Sequence, residues 1–290
     1  MIIGCTGNYR KEEFYTILKK VHIILSKENI DFIISSDLEK SAEFKSPPNY
    51  RIMEFSLMVE KCDMLFAIGG DGTILSTVRR LEQNMKPIMG IHIGGLGFLS
   101  ECTEDNLTES IAYILNSNYT VSERMLLEVQ MCLKNDSKQI LWALNDIVID
   151  HGPSARILKV EVQVSGHYLN TFKGDGVIIS TPTGSTAYSL SAGGPIIYPS
   201  MDSITVTPIC THSLSARPIV LKATEIITMS FPEPYEGISL AVDGQIKVPI
   251  DDQTQIQIRQ AEHFAQLVRL PTNGYFKTLR TKMGWSGNVR

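Results

Sequence analysis

Met64-Leu-Phe-Ala-Ile-Gly69-Gly70-Asp71-Gly72-Thr73-Ile74-Leu75-Ser-Thr-Val78-Arg-Arg-Leu81 is the stretch on which the reading of this chain turns. The five apolar residues 64–68 predict a buried strand, Gly69, Gly70 and Gly72 punctuate it, and Ile74, Leu75, Val78 and Leu81 recur at helical spacing. Strand, tight turn and helix in that order are the repeating element of a parallel sheet covered by helices.

The same pattern recurs on both sides. Residues 2–5 form an apolar run ended by Thr6, Gly7 and Asn8, and Phe14, Ile17, Leu18, Val21, Ile24 and Leu25 then follow helical spacing. Residues 31–35 read as a second strand. Ser46, Pro47, Pro48 and Asn49 mark a loop before a helix carrying Ile52, Phe55 and Val59. Residues 87–91 supply another strand, and Leu107, Ile111, Ile114 and Leu115 a last helix. From about residue 119 the texture changes to strands, expected at 126–133, 140–150, 157–164, 177–180, 204–206, 225–231, 238–242 and 254–258, with one short helix after Thr186. The fold expected is therefore α/β plus β. Residues 1–118 form an N-terminal parallel-sheet α/β domain, rejoined by the segment 271–290, and residues 119–270 a larger β-rich C-terminal domain.

Composition narrows the function. With 43% hydrophobic residues in 290, the chain can bury a sizeable core, and a net charge of −4 creates no field that would gather nucleic acid or an anionic membrane. An anionic ligand must be held locally. Cys5, Cys62, Cys102, Cys132 and Cys210 show no CxxC or Cys/His spacing and are expected as reduced core residues of a cytoplasmic protein. His92, His151 and His212 likewise lack ligand spacing, so structural roles with satisfied hydrogen bonds are expected of them. No protein side chain is assigned as a metal ligand.

The chemistry centres on the glycine loop. Ends of parallel strands are where such sheets bind ligands; glycines let backbone approach a phosphate, and the amides of the following helix point their positive end at it. The loop is not a dinucleotide fingerprint, because Leu75 stands where the third glycine belongs, and no Gly-Lys pair makes a P-loop. A tight turn with Asp71 as helix cap accounts for part of the pattern. An ionised Asp71 at a helix N-terminus can also accept a proton, and beside a polyphosphate it requires a cation such as Mg²⁺. That combination points to phosphoryl transfer with Asp71 as base.

At this point Gly69-Gly-Asp-Gly-Thr73 after a strand resembles the superfamily that joins NAD kinases, phosphofructokinases and diacylglycerol and sphingosine kinases. Further segments narrow the resemblance to bacterial NAD kinases: residues 90–99, Leu144-Asn-Asp-Ile-Val148, residues 175–195, His212-Ser-Leu-Ser-Ala-Arg-Pro218 and Val242-Asp-Gly-Gln245. The resemblance implies phosphorylation of the adenosine-ribose 2′-hydroxyl of NAD by ATP or polyphosphate, giving NADP. It implies that Gly69, Gly70, Gly72 and Thr73 form a phosphate loop at a domain cleft, with Asp71 the catalytic residue and Asp71 and Gly72 also touching NAD. Asn145 and Asp146, where the family usually has Asn-Glu, would hold NAD, two polar side chains in an otherwise apolar strand. Lys173, where many relatives carry Arg, would lie near phosphate and Asp175 near the nicotinamide half, although Lys173 to Gly176 alone reads equally as a hairpin turn. Thr186, Ala187, Tyr188, Ser189, Leu190 and Ser191 would contact NAD from the start of the short helix, where capping explains some hydroxyls. Arg156, Phe98 and Gln245 complete the expected set; Phe98 alone could be core and Asp243 to Gln245 alone a hairpin turn. Family relatives are homodimers or homotetramers, which implies a homo-oligomer. A lipid or sugar kinase of the same superfamily and a non-catalytic dinucleotide sensor are the competing readings.

Overall fold

The computed structural model describes residues 1–40, 50–95, 97–132, 138–154 and 156–285. The loop expected at Ser46 to Asn49 lies outside the described residues, as do Leu96, Leu133 and Ala155. The chain forms two compact units, Met1–Glu123 with Ala265–Arg290, and Arg124–Phe264. Because the chain from Ala265 onward lies with the first unit, the β-rich unit is the slightly smaller of the two and not the larger.

The first unit runs β1 (Ile2–Gly7), α1 (Glu12–Lys27), β2 (Asp31–Ser35), β3 (Arg51–Met53), α2 (Phe55–Lys61), β4 (Met64–Gly69), α3 (Asp71–Leu81), β5 (Ile88–His92), β6 (Cys102–Thr103) and α4 (Leu107–Leu115). β3, β2, β1, β4 and β5 pair in that order, all parallel, and β6 adds in parallel to β5. Every residue of β4 is buried, as a strand covered on both faces must be. Phe14, Ile17, Leu18 and Val21 of α1 pack into the core with Phe66, Ile68 and Met89. The helix expected to include Ile52 starts later, at Phe55. Ile52 is already spent on pairing with Ile34, and the Glu54 carboxylate caps the first turn by accepting from the amides of Ser56 and Leu57.

The second unit comprises β7 (Thr120–Cys132), β8 (Lys138–Ala143), β9 (Asp146–Asp150), β10 (Leu158–Val164), β11 (His167–Gly174), β12 (Gly176–Ser180), α5 (Tyr188–Ser191), β13 (Ser203–Ile209), β14 (Ile219–Lys222), β15 (Ile227–Ser230), β16 (Ile238–Val242), β17 (Ile246–Ile250) and β18 (Gln255–Arg269), with β7 entering from the first unit and β18 leaving into it. α6 (Tyr275–Met283) follows in the first unit. One sheet holds β11, β10, β15, β18, β7 and β8, the other β14, β13, β12, β9, β16 and β17. Alternate residues of the strands meet in one core: Val129, Val160 and Ile256 from the first sheet, Ile147, Val177 and Leu240 from the second. Among the described residues no helix is long and apolar enough to cross a membrane.

Several expectations are corrected. The strand expected over 140–150 is two strands in different sheets, β8 and β9, with Leu144 and Asn145 making the switch. Lys173 and Gly174 are not a hairpin turn but the end of β11, an unexpected strand, from which the chain passes through Asp175 into the other sheet. β14 and β17 were also unexpected, and β18 runs well past residue 258. Cys132 and Cys210 are exposed, whereas Cys5, Cys62 and Cys102 are buried.

The returning segment is fixed by Glu101, which is 1% exposed. Its carboxylate accepts from the Arg269 guanidinium and from the Leu270 amide at 3.1 Å, and its carbonyl accepts from the Asn273 side chain. Glu101→Ala would leave a partly buried guanidinium and a buried amide without their acceptor, so urea denaturation should register a loss of about 1–3 kcal/mol. An unchanged midpoint and slope would show that the latch contributes nothing.

Candidate active site

In the first unit β4 ends at Gly69 and α3 starts at Asp71, so the whole glycine loop is the strand-to-helix junction. Gly70 is the N-cap residue in an extended conformation, and its carbonyl accepts from the Thr73 amide at 2.9 Å. Asp71 sits in the first turn, where the helix dipole favours an anion.

Asp71 does not cap its own helix. Its two carboxylate oxygens accept from the backbone amides of Phe98 at 2.9 Å and Leu99 at 3.2 Å. The loop that supplies those amides is itself pinned, because the Gly97 amide donates to Ser100 Oγ at 2.9 Å and the Glu101 amide to the Gly90 carbonyl at 2.9 Å. Phe98 therefore meets Asp71 through its main chain. Gly97 is required by proximity: a Cβ there would lie 2.0 Å from Asp71 Oδ1.

His92 stands opposite Gly69 at the end of β5. Burial pulls its pKa down, against the Asp71 carboxylate, which raises it, while Lys282 of α6 lowers it further. Its Nδ1 is buried without a hydrogen-bond partner, while a hydrogen bond with the Gly94 backbone favours the charged ring. The loop thus has for a neighbour an imidazole whose charged form burial disfavours, which only the strand register discloses.

In the second unit Asn145, Asp146, Ala187 and Tyr188 line one cavity of about 320 Å³, together with Val148, Asp150, Ala241, Asp243, Gly244 and Lys247. The sheet switch creates it. Asp243, 8% exposed, accepts from the amides of Leu144 at 3.1 Å, Asn145 at 2.7 Å and Asp146 at 3.2 Å, and its own amide donates to the Asp146 carbonyl at 2.9 Å. Asp243 and Gly244 both have positive φ, 51° and 63°, in the three-residue hairpin turn, Asp243 to Gln245, between β16 and β17. The hairpin expectation is met, and the same turn carries an acceptor that sequence reasoning missed.

From the other side, the Thr181 amide donates to the Asn145 carbonyl and Thr181 Oγ1 to the Leu144 carbonyl at 2.6 Å. The turn Thr183–Thr186 presses so closely that a Cβ on Gly184 would lie 2.1 Å from the Asn145 carbonyl oxygen. Several hydroxyls of this turn are consumed internally: Ser185 Oγ donates to the Pro182 carbonyl and accepts from the Ile197 amide. Ser189 is 0% exposed and bonded to Thr207 Oγ1 at 2.9 Å, so it anchors α5 and does not face the cavity.

The cavity is electrostatically unusual. Asp146, 4% exposed, has its pKa raised to about 7, by burial first and then by the Asp243 carboxylate, against a hydrogen bond from the Tyr188 amide. Tyr188 is also pushed up, by burial first and then by Asp150, Cys210, Asp175 and Asp146. Its ring is 47% exposed at the cavity edge. The Asp175 carboxylate lies 4.0 Å from His151 Nε2 and raises the Cys210 thiol pKa through a hydrogen bond and its charge.

The other expected residues lie outside this cavity lining. Lys173, Ser191 and Gln245 are exposed, and Thr186 and Leu190 half-buried. Arg156 borders a separate cavity of about 980 Å³ with Glu233, Tyr235 and Glu236, and its carbonyl accepts from the Tyr235 hydroxyl. Among the described residues no group of three or more His, Cys, Asp or Glu side chains could hold a metal ion.

Comparison with known proteins gives consistent matches in both units. The family described as ATP-NAD kinase N-terminal domain matches residues 3–119, and that described as ATP-NAD kinase C-terminal domain matches residues 144–270. The chain is 44% identical over 226 residues to the NAD kinase of Geotalea daltonii, covering 78% of this chain and 80% of that one. It is 34% identical over 284 residues to the NAD kinase of Salmonella dublin, covering 98% and 96%. Among solved structures, yeast NADH kinase complexed with NADH aligns with a TM-score of 0.89 at 28% identity, over 100% of this chain and 89% of the other. An NAD kinase from Archaeoglobus fulgidus aligns at 0.76 and 23% identity over 98% and 99%, a likeness of fold.

The tight fit of Gly97 against Asp71 makes a test of the loop. Gly97→Ala should keep the far-ultraviolet circular dichroism of the wild type but break the Asp71 hydrogen bonds, raising amide exchange at Phe98 and Leu99 about tenfold. Unaltered protection at both amides would mean that Asp71 does not hold the loop.

Proposed function

The chain belongs to the NAD kinase family, and on that premise we infer that it transfers the γ-phosphoryl group of ATP to the adenosine-ribose 2′-hydroxyl of NAD, giving NADP. The observation that carries this reading is the match of both family domains, in order, with 34% identity to an NAD kinase over 284 residues. Phosphoryl transfer needs little covalent help from a protein; positioning and charge neutralisation do most of the work.

Asp71 accepts the proton of the acceptor hydroxyl. Amides 98 and 99 hold its carboxylate still, so no rotamer search precedes the transfer. Gly69, Gly70, Gly72 and Thr73, with the N-terminus of α3, receive the donor phosphates. Asn145, Asp146, Ala187 and Tyr188 hold NAD in the second unit's cavity. Phe98, Arg156, Lys173, Asp175, Thr186, Leu190, Ser191 and Gln245 remain proposed NAD contacts. Ser189 supports α5 from within.

A divalent cation, Mg²⁺ in our reading, fits this donor set in one way. Asp71, the carboxylate within the loop, would be the protein group beside such an ion, and donor phosphates and water would complete its shell. When bound, it neutralises phosphate charge. We place the enzyme in the cytoplasm as a homodimer or homotetramer, on family membership.

A lipid or sugar acceptor is disfavoured by the match to the NAD kinase C-terminal domain, and a silent sensor has no use for Asp71 at the helix start. Incubation with NAD, ATP and Mg²⁺ should yield NADP, detected by an NADP-specific dehydrogenase, and chelation of the metal should abolish it. No NADP with any donor or metal would overturn the assignment.

Two aspartates separate chemistry from binding. Asp71→Asn keeps the size, gives up one of the two amide hydrogen bonds and loses the proton acceptor, so in protein checked for folding by circular dichroism kcat should fall about 10²- to 10⁴-fold with little change in NAD affinity. Asp175→Asn should chiefly raise KM for NAD. Near-normal kcat in folded Asp71→Asn would leave the carboxylate as a loop clamp and nothing more.

A further inference from the structure

We propose that Asp146 meets NAD as a neutral carboxylic acid, donating a hydrogen bond to an acceptor atom of the nucleotide, and that Asp243 is the positioning residue that holds it in that form. The inference rests on the NAD reading above and goes beyond it, because it fixes which protonation state of the enzyme binds.

Asp243 collects three consecutive amides, 144 to 146, and returns its own amide to the Asp146 carbonyl, so the backbone that presents Asp146 is closed on both sides by one residue. That residue is held in place, since it sits in the left-handed region in the three-residue turn between β16 and β17 and is buried. The Asp243 carboxylate finds its donors in those amides. Asp146 has none of them: it is more deeply buried, and the donor that favours its charged form is the Tyr188 amide.

The charges around the cavity have the same consequence. Asp243 acts on Asp146 with like charge, and Asp150 lines the same cavity. Lys247 from β17 lines it too but is not among the groups acting on Asp146, and Tyr188 from α5 contributes its amide. With burial the larger cause and Asp243 the second, Asp146 titrates at about 7, far above an ordinary carboxylate. Two carboxyl groups joined through one stretch of backbone are thus pushed into different tasks. Asp243 accepts, and Asp146 carries the proton.

The sign follows. If the neutral form binds, NAD affinity is level below the Asp146 pKa and is lost as pH rises through it, by about tenfold per unit once the carboxyl is ionised. A carboxylate acceptor would behave in the opposite way, tightening as pH rises. NAD has no group of its own titrating near neutrality, so the slope belongs to the protein.

The experiment has two arms. Carboxyl carbon-13 NMR of the ligand-free enzyme should show a titration near pH 7 that is absent in Asp146→Asn, and calorimetric NAD affinity of the wild type should weaken above that pH while that of Asp146→Asn no longer varies over the same range. In Asp243→Asn, checked for folding by circular dichroism, both midpoints should move to lower pH, because the like charge is gone while burial remains. NAD affinity that is flat or tightens through neutrality in the wild type overturns the proposal, as does a ligand-free titration in the ordinary carboxylate range. Failure to bind NAD at any pH, with the NMR titration near 7 intact, would instead remove the NAD reading and with it the binding role claimed for Asp146.

Discussion

Backbone amides that leave a sheet must still be given acceptors, and in both units of this protein an aspartate carboxylate supplies them beside the proposed chemistry. Asp71 takes amides 98 and 99, and Asp243 takes amides 144, 145 and 146. The device is economical in a specific sense. A carboxylate offers two oxygens and several lone pairs, so one side chain can order a run of main chain that no single hydroxyl or amide could satisfy. The glycines follow from it: Gly97 lets the 97–100 loop approach Asp71, and Gly184 lets the Thr183–Thr186 turn approach Asn145.

The two uses differ in what they leave free. Asp243 is buried and bound to three backbone amides, so its charge becomes a feature of the cavity that shapes the ionisation of its neighbour. Asp71 lies at the start of α3, only partly buried, and a group held by two amides there can still face a ligand. Burial lowers the pKa of its neighbour His92, which disfavours a second cation beside the carboxylate.

The first unit was legible because its physics is local. Parallel strands buried on both faces read as unbroken apolar runs, and residues 64–68 became β4 as the run predicted. Glu54, by contrast, moved a helix start through a cap that the apolar spacing of Ile52, Phe55 and Val59 does not display. In the second unit the missed strands were β11, β14 and β17, whose burial is only partial. Residues 140–150 looked like one strand because their apolar pattern runs through the break. What divides them is Asp243, 97 to 99 positions further along the chain.

The site divides along the same line. Gly69 to Thr73 could be read as a unit because the strand, the glycines and the helix are contiguous, and Asn145 with Asp146 stood out as polar residues in an apolar run. A hydroxyl misled: Ser189, expected among the ligand contacts, bonds a buried neighbour, and composition cannot distinguish a hydroxyl facing a cavity from one facing the core. Asp243 misled in the other direction. Its neighbour Gly244 and the flanking apolar residues announce a hairpin, and in a hairpin an aspartate needs no further explanation. Only when β9 is laid beside β16, pairing Ile147 with Val242, does the turn fall against the β8 to β9 break and its carboxylate become the acceptor for that break. A residue whose local role is complete can therefore hold a second, non-local one, and burial is the signal that separates the two. An aspartate needed only for a turn has no reason to be 8% exposed with three amides converging on it.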